Sequence, residues 1–233
     1  MKKFGSSIFF LCIFFGGGFF LGKGVPKLPL FFKPSKSIAP SPYPIVNQSF
    51  VAVILEKEGG AHLEKAIRSV LSQNYEPFRV VYVDDGAKNS QFLQVRDLVY
   101  CSGKSEKVQL IQNKKPLGEF QNLAKIAEEC KKNEVLVLID EGGSLSHEWV
   151  FQTLNGYYAN QSVKIANGGS LNGDTFNPSS SPLRTFYASL LTSVTESFAV
   201  DPEDLSYMEA LEELGKENFS QLDSVLYLVE EKG

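Results

Sequence analysis

Acidic side chains follow two apolar segments of the sequence, at the point where each segment ends. Asp84 and Asp85 come directly after Phe78–Val83, and Asp140 comes directly after Val135–Ile139. A carboxylate in such a place can accept hydrogen bonds from a bound ligand. Because open α/β sheets bind their ligands beyond the carboxyl ends of the strands, the pattern predicts a polar ligand site.

The same acidic residues also suit purely structural roles. Asp84 and Asp85 precede Gly86, and an Asp-Asp-Gly sequence after a strand is a frequent turn former. Asp140 could likewise cap a helix or form a turn. Both interpretations remain open from the residues alone.

The elements that would position these acids alternate along the chain. Short apolar runs predict four buried strands, and apolar residues three and four apart predict helices between and after them. The predicted strands are 50–55, 78–83, 108–111 and 135–139, and the predicted helices are 62–73, 91–99, 120–130 and 149–158. This order predicts an α/β fold, with a mostly parallel open sheet and helices on both faces.

The pattern is weaker in the last third of the sequence. The segment 167–182 is rich in Gly, Asn and Ser and predicts a surface loop. Segments 183–194 and 204–214 have helical spacing, and 225–229 predicts a last short strand.

Composition excludes several classes of protein. The chain has 233 residues and a net charge of −4, which argues against a nucleic-acid partner. Hydrophobic residues make up 43%, enough to fill a core. The cysteines are three in number and widely spaced, so neither a disulfide framework nor a zinc ribbon is expected.

The N-terminus has the pattern of a membrane segment. No residue from Phe4 to Gly22 is charged, and a helix of this length spans about 28 Å, close to the hydrocarbon thickness of a bilayer. We expect residues 1–24 to form a retained single-pass anchor, with a cleaved signal peptide and secretion as the alternative. Several lysines follow the segment, which favours a cytoplasmic globular domain.

A proline-rich stretch separates this segment from the rest. Six prolines between Pro26 and Pro44 favour an extended spacer, so residues 25–48 are predicted to be a linker. The folded domain is predicted to span 49–233.

The stretch from Ser49 to Trp149 resembles the family 2 glycosyltransferases, which have the Rossmann-like GT-A fold. The helix sequence LEKAIRSVLSQNY ends at Tyr75, and VVYVDDG ends at Gly86. Asn113 with Leu117-Gly118 is similar to the N-x-x-L-G step of the family. The sequence LIDEG, which contains Asp140, stands where the family has D-x-D.

The resemblance implies transfer of a hexosyl group from a UDP- or GDP-sugar to an acceptor hydroxyl, with a lipid or a polysaccharide as the acceptor. It implies that the nucleotide-sugar is bound by Asp84, Asp85, Asn122 and Asp140. It also implies a divalent metal, Mg²⁺ or Mn²⁺, at Asp140 and Glu141.

A general base in the C-terminal half would complete the implied chemistry, and Asp204 is the candidate, with Asp201 and Glu203 as neighbours. These acids could instead belong to a helix N-terminus, where the helix dipole favours negative charge. Arg184 could contact a phosphate, or it could lie solvated on a helix face.

The sequence departs from the family pattern at several positions. Gly142 stands where the second carboxylate of D-x-D is expected, and the segment from Leu55 to Gly59 replaces a P-x-Y-N-like turn. The Q-x-x-R-W motif is absent. These departures leave an alternative function open, a degenerate GT-A-like domain that acts as a binding or scaffolding module at the membrane.

Overall fold

The computed structural model describes residues 47–59, 62–140, 142–160, 162–173, 175–177, 183–197 and 206–229. The predicted anchor and nearly all of the predicted linker lie outside these residues. Among the described residues, no helix combines the length and apolar character needed to cross a bilayer.

The first half of the domain forms the predicted parallel sheet. Its strands are β1 (Phe50–Glu56), β2 (Phe78–Asp84), β3 (Val108–Gln112) and β4 (Val135–Asp140), in the spatial order β3-β2-β1-β4. All three neighbouring pairs are parallel. Every residue of β1 is buried, as expected for a central strand covered on both faces.

Helices cover both faces of this sheet. The elements α1 (Leu63–Leu71), α2 (Phe92–Cys101) and α4 (Val150–Tyr158) pack on one face. The helix α3 (Glu119–Glu129) packs on the other face, together with two later helices, α5 (Ala188–Ser197) and α6 (Ser206–Gly215). The prediction of helices on both faces is therefore confirmed.

The prediction of a mostly parallel sheet is wrong for the second half of the domain. The later strands are β5 (Gly143–Leu145), β6 (Ile165–Asn172), β7 (Thr175–Asn177), β8 (Leu183–Tyr187) and β9 (Phe219–Val229). The pairs β4–β8, β6–β8, β6–β7 and β5–β9 are antiparallel, and only β6–β9 is parallel. The nine strands therefore form one mixed sheet.

Two segments of the second half have a different structure from the one expected. The loop predicted over 167–182 is wrong for residues 167–172, which belong to strand β6, because Gly168 and Gly169 serve close packing rather than a turn. A Cβ on Gly169 would lie 2.7 Å from the Phe176 ring, so only glycine fits there. Residues 183–187 form a strand before α5 begins, since pairing with β4 outweighs their helical spacing.

Candidate active site

Acidic residues end three adjacent strands of the parallel sheet. Glu56 ends β1 and lies in register with Asp84 at the end of β2, while Leu55 lies in register with Asp140 at the end of β4. The backbone amide of Asp85 donates to the carbonyl oxygen of Glu56 at 2.9 Å, which ties the two strand ends together. The sheet thus brings the predicted acids to one edge.

Asp84 is almost fully buried and accepts three hydrogen bonds. The donors are the Ala87 amide at 2.9 Å, the Ser90 hydroxyl at 2.6 Å and the Gln112 side-chain amide at 2.9 Å. Burial alone would raise the pKa of Asp84, but these hydrogen bonds outweigh it and hold the pKa below its usual value. Asp84 therefore stays ionised while it fixes the turn after β2.

Asp85 binds the loop that leads into α3. Its carboxylate accepts the Leu117 and Gly118 amides, each at 2.9 Å, and the Asn113 side-chain amide at 2.8 Å. Asn113 also donates to Asn122 at 2.8 Å. It therefore links Asp85 to Asn122, two residues that were predicted to bind the nucleotide-sugar. Gly118 has a φ of 84°, in the left-handed region that favours glycine. The Asn113…Leu117-Gly118 motif thus holds this loop against Asp85 through hydrogen bonds.

Asp140 lies in a second polar cluster, in which charges of opposite sign alternate. Its Oδ1 accepts a hydrogen bond from Nη2 of Arg184 at 3.2 Å. Nη1 of Arg184 donates to Glu119 at 2.8 Å, and the Lys57 ammonium donates to the other oxygen of Glu119 at 2.7 Å. The Tyr207 hydroxyl also donates to Glu119. Two cations and two carboxylates are therefore connected in the order Lys57–Glu119–Arg184–Asp140.

The strand register explains how Arg184 reaches Asp140. Arg184 of β8 lies opposite Leu138 of β4, and Asp140 is two residues farther along β4. Since alternate residues of a strand share one face, Arg184 and Asp140 lie diagonally on the same face. The sequence left two interpretations of Arg184 open, a phosphate contact or a solvated position on a helix face. Arg184 lies on a strand, so the second interpretation is wrong.

Glu119 is the electrostatic centre of the cluster, with 11% of its side chain exposed. Burial by itself would raise its pKa, but the charges of Arg184 and Lys57 and the hydrogen bonds from Lys57 and Tyr207 lower the pKa to about 2. Burial would lower the pKa of the Arg184 guanidinium, and Glu119 raises it above its ordinary value. The carboxylate and the guanidinium are therefore both ionised.

Glu56 and Glu119 were missed by the sequence reasoning. Glu56 is fully buried, and its carboxylate accepts the Tyr82 hydroxyl and the Gln91 amide, the latter at 3.1 Å. Glu56 could have been found from the sequence, because it is an acidic residue directly after an apolar strand, as Asp84 and Asp140 are. Glu119 has no comparable signal, because it begins a helix and acids are common there.

The backbone of Asp140 is held by Tyr227 of β9. The Asp140 amide donates to the Tyr227 hydroxyl at 2.8 Å, and that hydroxyl donates to the Asp140 carbonyl at 3.3 Å. A Cβ on Gly143 would lie 2.2 Å from the Tyr227 ring, whereas a Cβ on Gly142 would meet no atom of the described residues within 4 Å. Gly143 is therefore required for the packing of Tyr227, and Gly142 is not.

The described residues around Asp140 do not by themselves provide the ligands that a hard divalent cation needs. Gly142 offers no side chain, and the described part of the chain contains no cluster of three His, Cys, Asp or Glu residues that could hold a metal. Magnesium and manganese sites need several oxygen ligands, and Oδ1 of Asp140 is already bonded to the Arg184 guanidinium. The other predicted ligand, Glu141, and the predicted base, Asp204, lie outside the described residues.

The comparisons with known proteins agree with this geometry. The family model described as glycosyl transferase family 2 matches residues 51–211, more than half of the chain. The chain belongs to this family. No curated protein matches the sequence significantly.

Solved structures similar to this family 2 member share its fold. The structure of residues 1–349 of S. aureus TarS has a TM-score of 0.64 at 11% identity, over 78% of this chain and 60% of that fragment. The same TarS fragment in complex with UDP-GlcNAc has a TM-score of 0.63 at 13% identity, over 80% of this chain and 59% of that one.

A third similar structure is that of a mannosyltransferase. The mannosyltransferase PcManGT of Pyrobaculum calidifontis, in complex with GDP-Man and Mn²⁺, has a TM-score of 0.62 at 14% identity, over 85% of this chain and 60% of that one. These likenesses establish a GT-A-like fold. The chain spans about 60% of the length of these similar structures.

Proposed function

We propose that this family 2 domain transfers a hexosyl group from a UDP- or GDP-sugar to an acceptor hydroxyl. The observation that carries the proposal is the register of the strand ends, because it places the ends of β2, β1 and β4 side by side within the region that matches the family. Structures of similar fold are described with UDP-GlcNAc and with GDP-Man, which supports a nucleotide-sugar donor.

In this proposal each residue has a separate role in a sugar transfer that inverts the anomeric carbon. The acceptor oxygen attacks the anomeric carbon, its proton passes to a carboxylate, and the bond to the diphosphate breaks with its electron pair leaving on the nucleotide. Asp204 is the proposed base. Asp84, Asp85 and Asn122 form the part of the site that binds the nucleotide. Asp140 lies in the part that binds the sugar and the diphosphate.

The acceptor and the cellular location are part of the same proposal. An uncharged segment from Phe4 to Gly22 would hold the domain at the cytoplasmic face of a membrane, where a lipid or a growing polysaccharide is available as the acceptor. Alkaline carbonate extraction of membranes from cells that make the full chain tests the anchor. Recovery of the protein in the soluble fraction with a mature N-terminus after Lys23 would favour secretion.

A turnover assay tests the transferase activity. The full chain is incubated with a panel of UDP- and GDP-sugars, with and without added Mg²⁺ or Mn²⁺, and release of the nucleotide is measured. We expect release above background with one donor, at least tenfold lower for Asp140→Ala and unchanged for Asp97→Ala, an exposed acid of α2.

Two outcomes would contradict the proposal. Background release with every donor, accompanied by measurable nucleotide binding, would favour the degenerate binding module. Release that persists unchanged in Asp140→Ala would place the reaction elsewhere.

A further inference from the structure

The polar cluster at Asp140 contains fixed positive charges where the family resemblance implies a metal. We propose that Arg184 and Lys57, rather than a divalent cation, neutralise the donor diphosphate, so that nucleotide binding is independent of metal. This inference rests on the proposed function, since it concerns how the same site binds its donor.

The first step of the argument is the charge of the cluster. A site prepared for a divalent metal presents an excess of carboxylates, which the metal then neutralises. Here Glu119 and Asp140 are already balanced by Lys57 and Arg184 through contacts of 2.7 to 3.2 Å. The four described side chains of the cluster carry no net charge, so among them there is no excess of carboxylates to attract a divalent cation.

The second step is the permanence of the cations. The Arg184 side chain is 18% exposed, and a guanidinium stays protonated at every pH at which the protein folds. Its place is fixed by the pairing of β8 with β4 and by its bond to Glu119. Lys57 follows β1 directly, and its side chain is 48% exposed, so it lies where the cluster meets the solvent.

The third step is the chemistry that a metal would supply. In transfer from a nucleotide-sugar the leaving group is a diphosphate, whose negative charge increases as the bond breaks. Arginine and lysine can stabilise that charge, because their N–H groups form charge-assisted hydrogen bonds to phosphate oxygens. Glu119 holds both cations in position, and Asp140 acts as a positioning residue for Arg184.

Calorimetric titration of the full chain with UDP and GDP tests the inference, once in EDTA and once with MnCl₂. We expect dissociation constants that agree within about threefold between the two conditions. We expect Lys57→Gln to bind UDP or GDP about tenfold more weakly than the wild type, because it removes a cation that binds the phosphates. The matched control is Arg96→Gln, which removes an exposed arginine of α2.

Arg184→Gln leaves Glu119 partly unpaired and could unfold the domain. The second variant is therefore Glu119→Gln combined with Arg184→Gln, which removes one charge of each sign. We expect it to keep the circular dichroism spectrum of the wild type and to lose nucleotide affinity. Unchanged affinity in this folded double variant would overturn the role of Arg184.

The outcomes separate this inference from the proposed function. Binding that is at least tenfold tighter with Mn²⁺ would overturn metal independence and keep the nucleotide-sugar donor. Loss of the free Mn²⁺ signal in electron paramagnetic resonance on addition of the wild-type protein alone would also overturn it. No binding of either nucleotide under either condition would overturn both.

Discussion

Arg184 and Glu119 form a nearly buried ion pair, with Nη1 2.8 Å from Oε1, although 65 residues separate them in the chain. The pair joins β8 to the first turn of α3, and Lys57 extends it to the residue after β1. Ionic contacts therefore join β8, the first turn of α3 and the residue that follows β1.

The pH dependence of stability should report on Glu119. Its pKa is about 2 in the folded protein and 4.5 ordinarily, so its stabilisation is present above pH 4.5 and is lost as the pH falls through about 2. The full effect is on the order of 3 kcal/mol. Urea unfolding at pH 7, 4.5 and 3 should show a weaker pH dependence for Glu119→Gln than for the wild type.

Glu64→Gln is the matched control for this measurement, because Glu64 forms an exposed ion pair with Arg68 in α1. Exposed pairs contribute little to stability, so this variant should follow the wild-type pH curve. Equal pH dependence in Glu119→Gln and the wild type would show that Glu119 is not the titrating group.

Asp85→Ala should destabilise the protein as well as weaken nucleotide binding. The carboxylate accepts two backbone amides and one side-chain amide, and these donors would lose their acceptor. We expect the free energy of unfolding to fall by about 3 kcal/mol. The contacts of Asp85 with Leu117 and Gly118 cannot be seen in the sequence, because these residues lie more than 30 positions away.

Hydrogen exchange provides the specific readout for Asp85. The amides of Leu117 and Gly118 should lose protection in Asp85→Ala, while amides in β1 keep theirs. Asp97→Ala, at an exposed position of α2, should change neither stability nor exchange. If both loop amides stay protected in Asp85→Ala, another acceptor holds this loop.

The neighbouring glycines after Asp140 should respond differently to the same substitution. Gly143→Ala places a Cβ against the Tyr227 ring, so we expect a loss of about 1–3 kcal/mol of stability from overpacking. The Cβ of Gly142→Ala would meet no atom within 4 Å in the part of the chain that the structure describes, so we expect stability to change by less than about 0.5 kcal/mol. Thermal unfolding of both variants measures the difference, and equal melting temperatures would refute the packing role of Gly143.

The sequence by itself determined the first half of the domain and its family. Strands β1 to β4 are continuous apolar runs because they are buried on both faces, and the helices between them have the spacing of a single buried face. Asp84, Asp85 and Asp140 could be placed at one edge because the carboxyl ends of parallel strands coincide. These features depend on local spacing, which a sequence displays directly.

Only the tertiary structure showed how the strands of the second half pair and which charged residues contact each other. The middle of strand β6 consists of asparagine, glycine and serine, and its pairing and its close contacts come from distant segments. The pairing of Arg184 with Glu119 and Asp140 likewise depends on the antiparallel addition of β8 to β4. These contacts join residues that are far apart in the chain. Local propensity does not predict them, because long-range packing overrides local preferences.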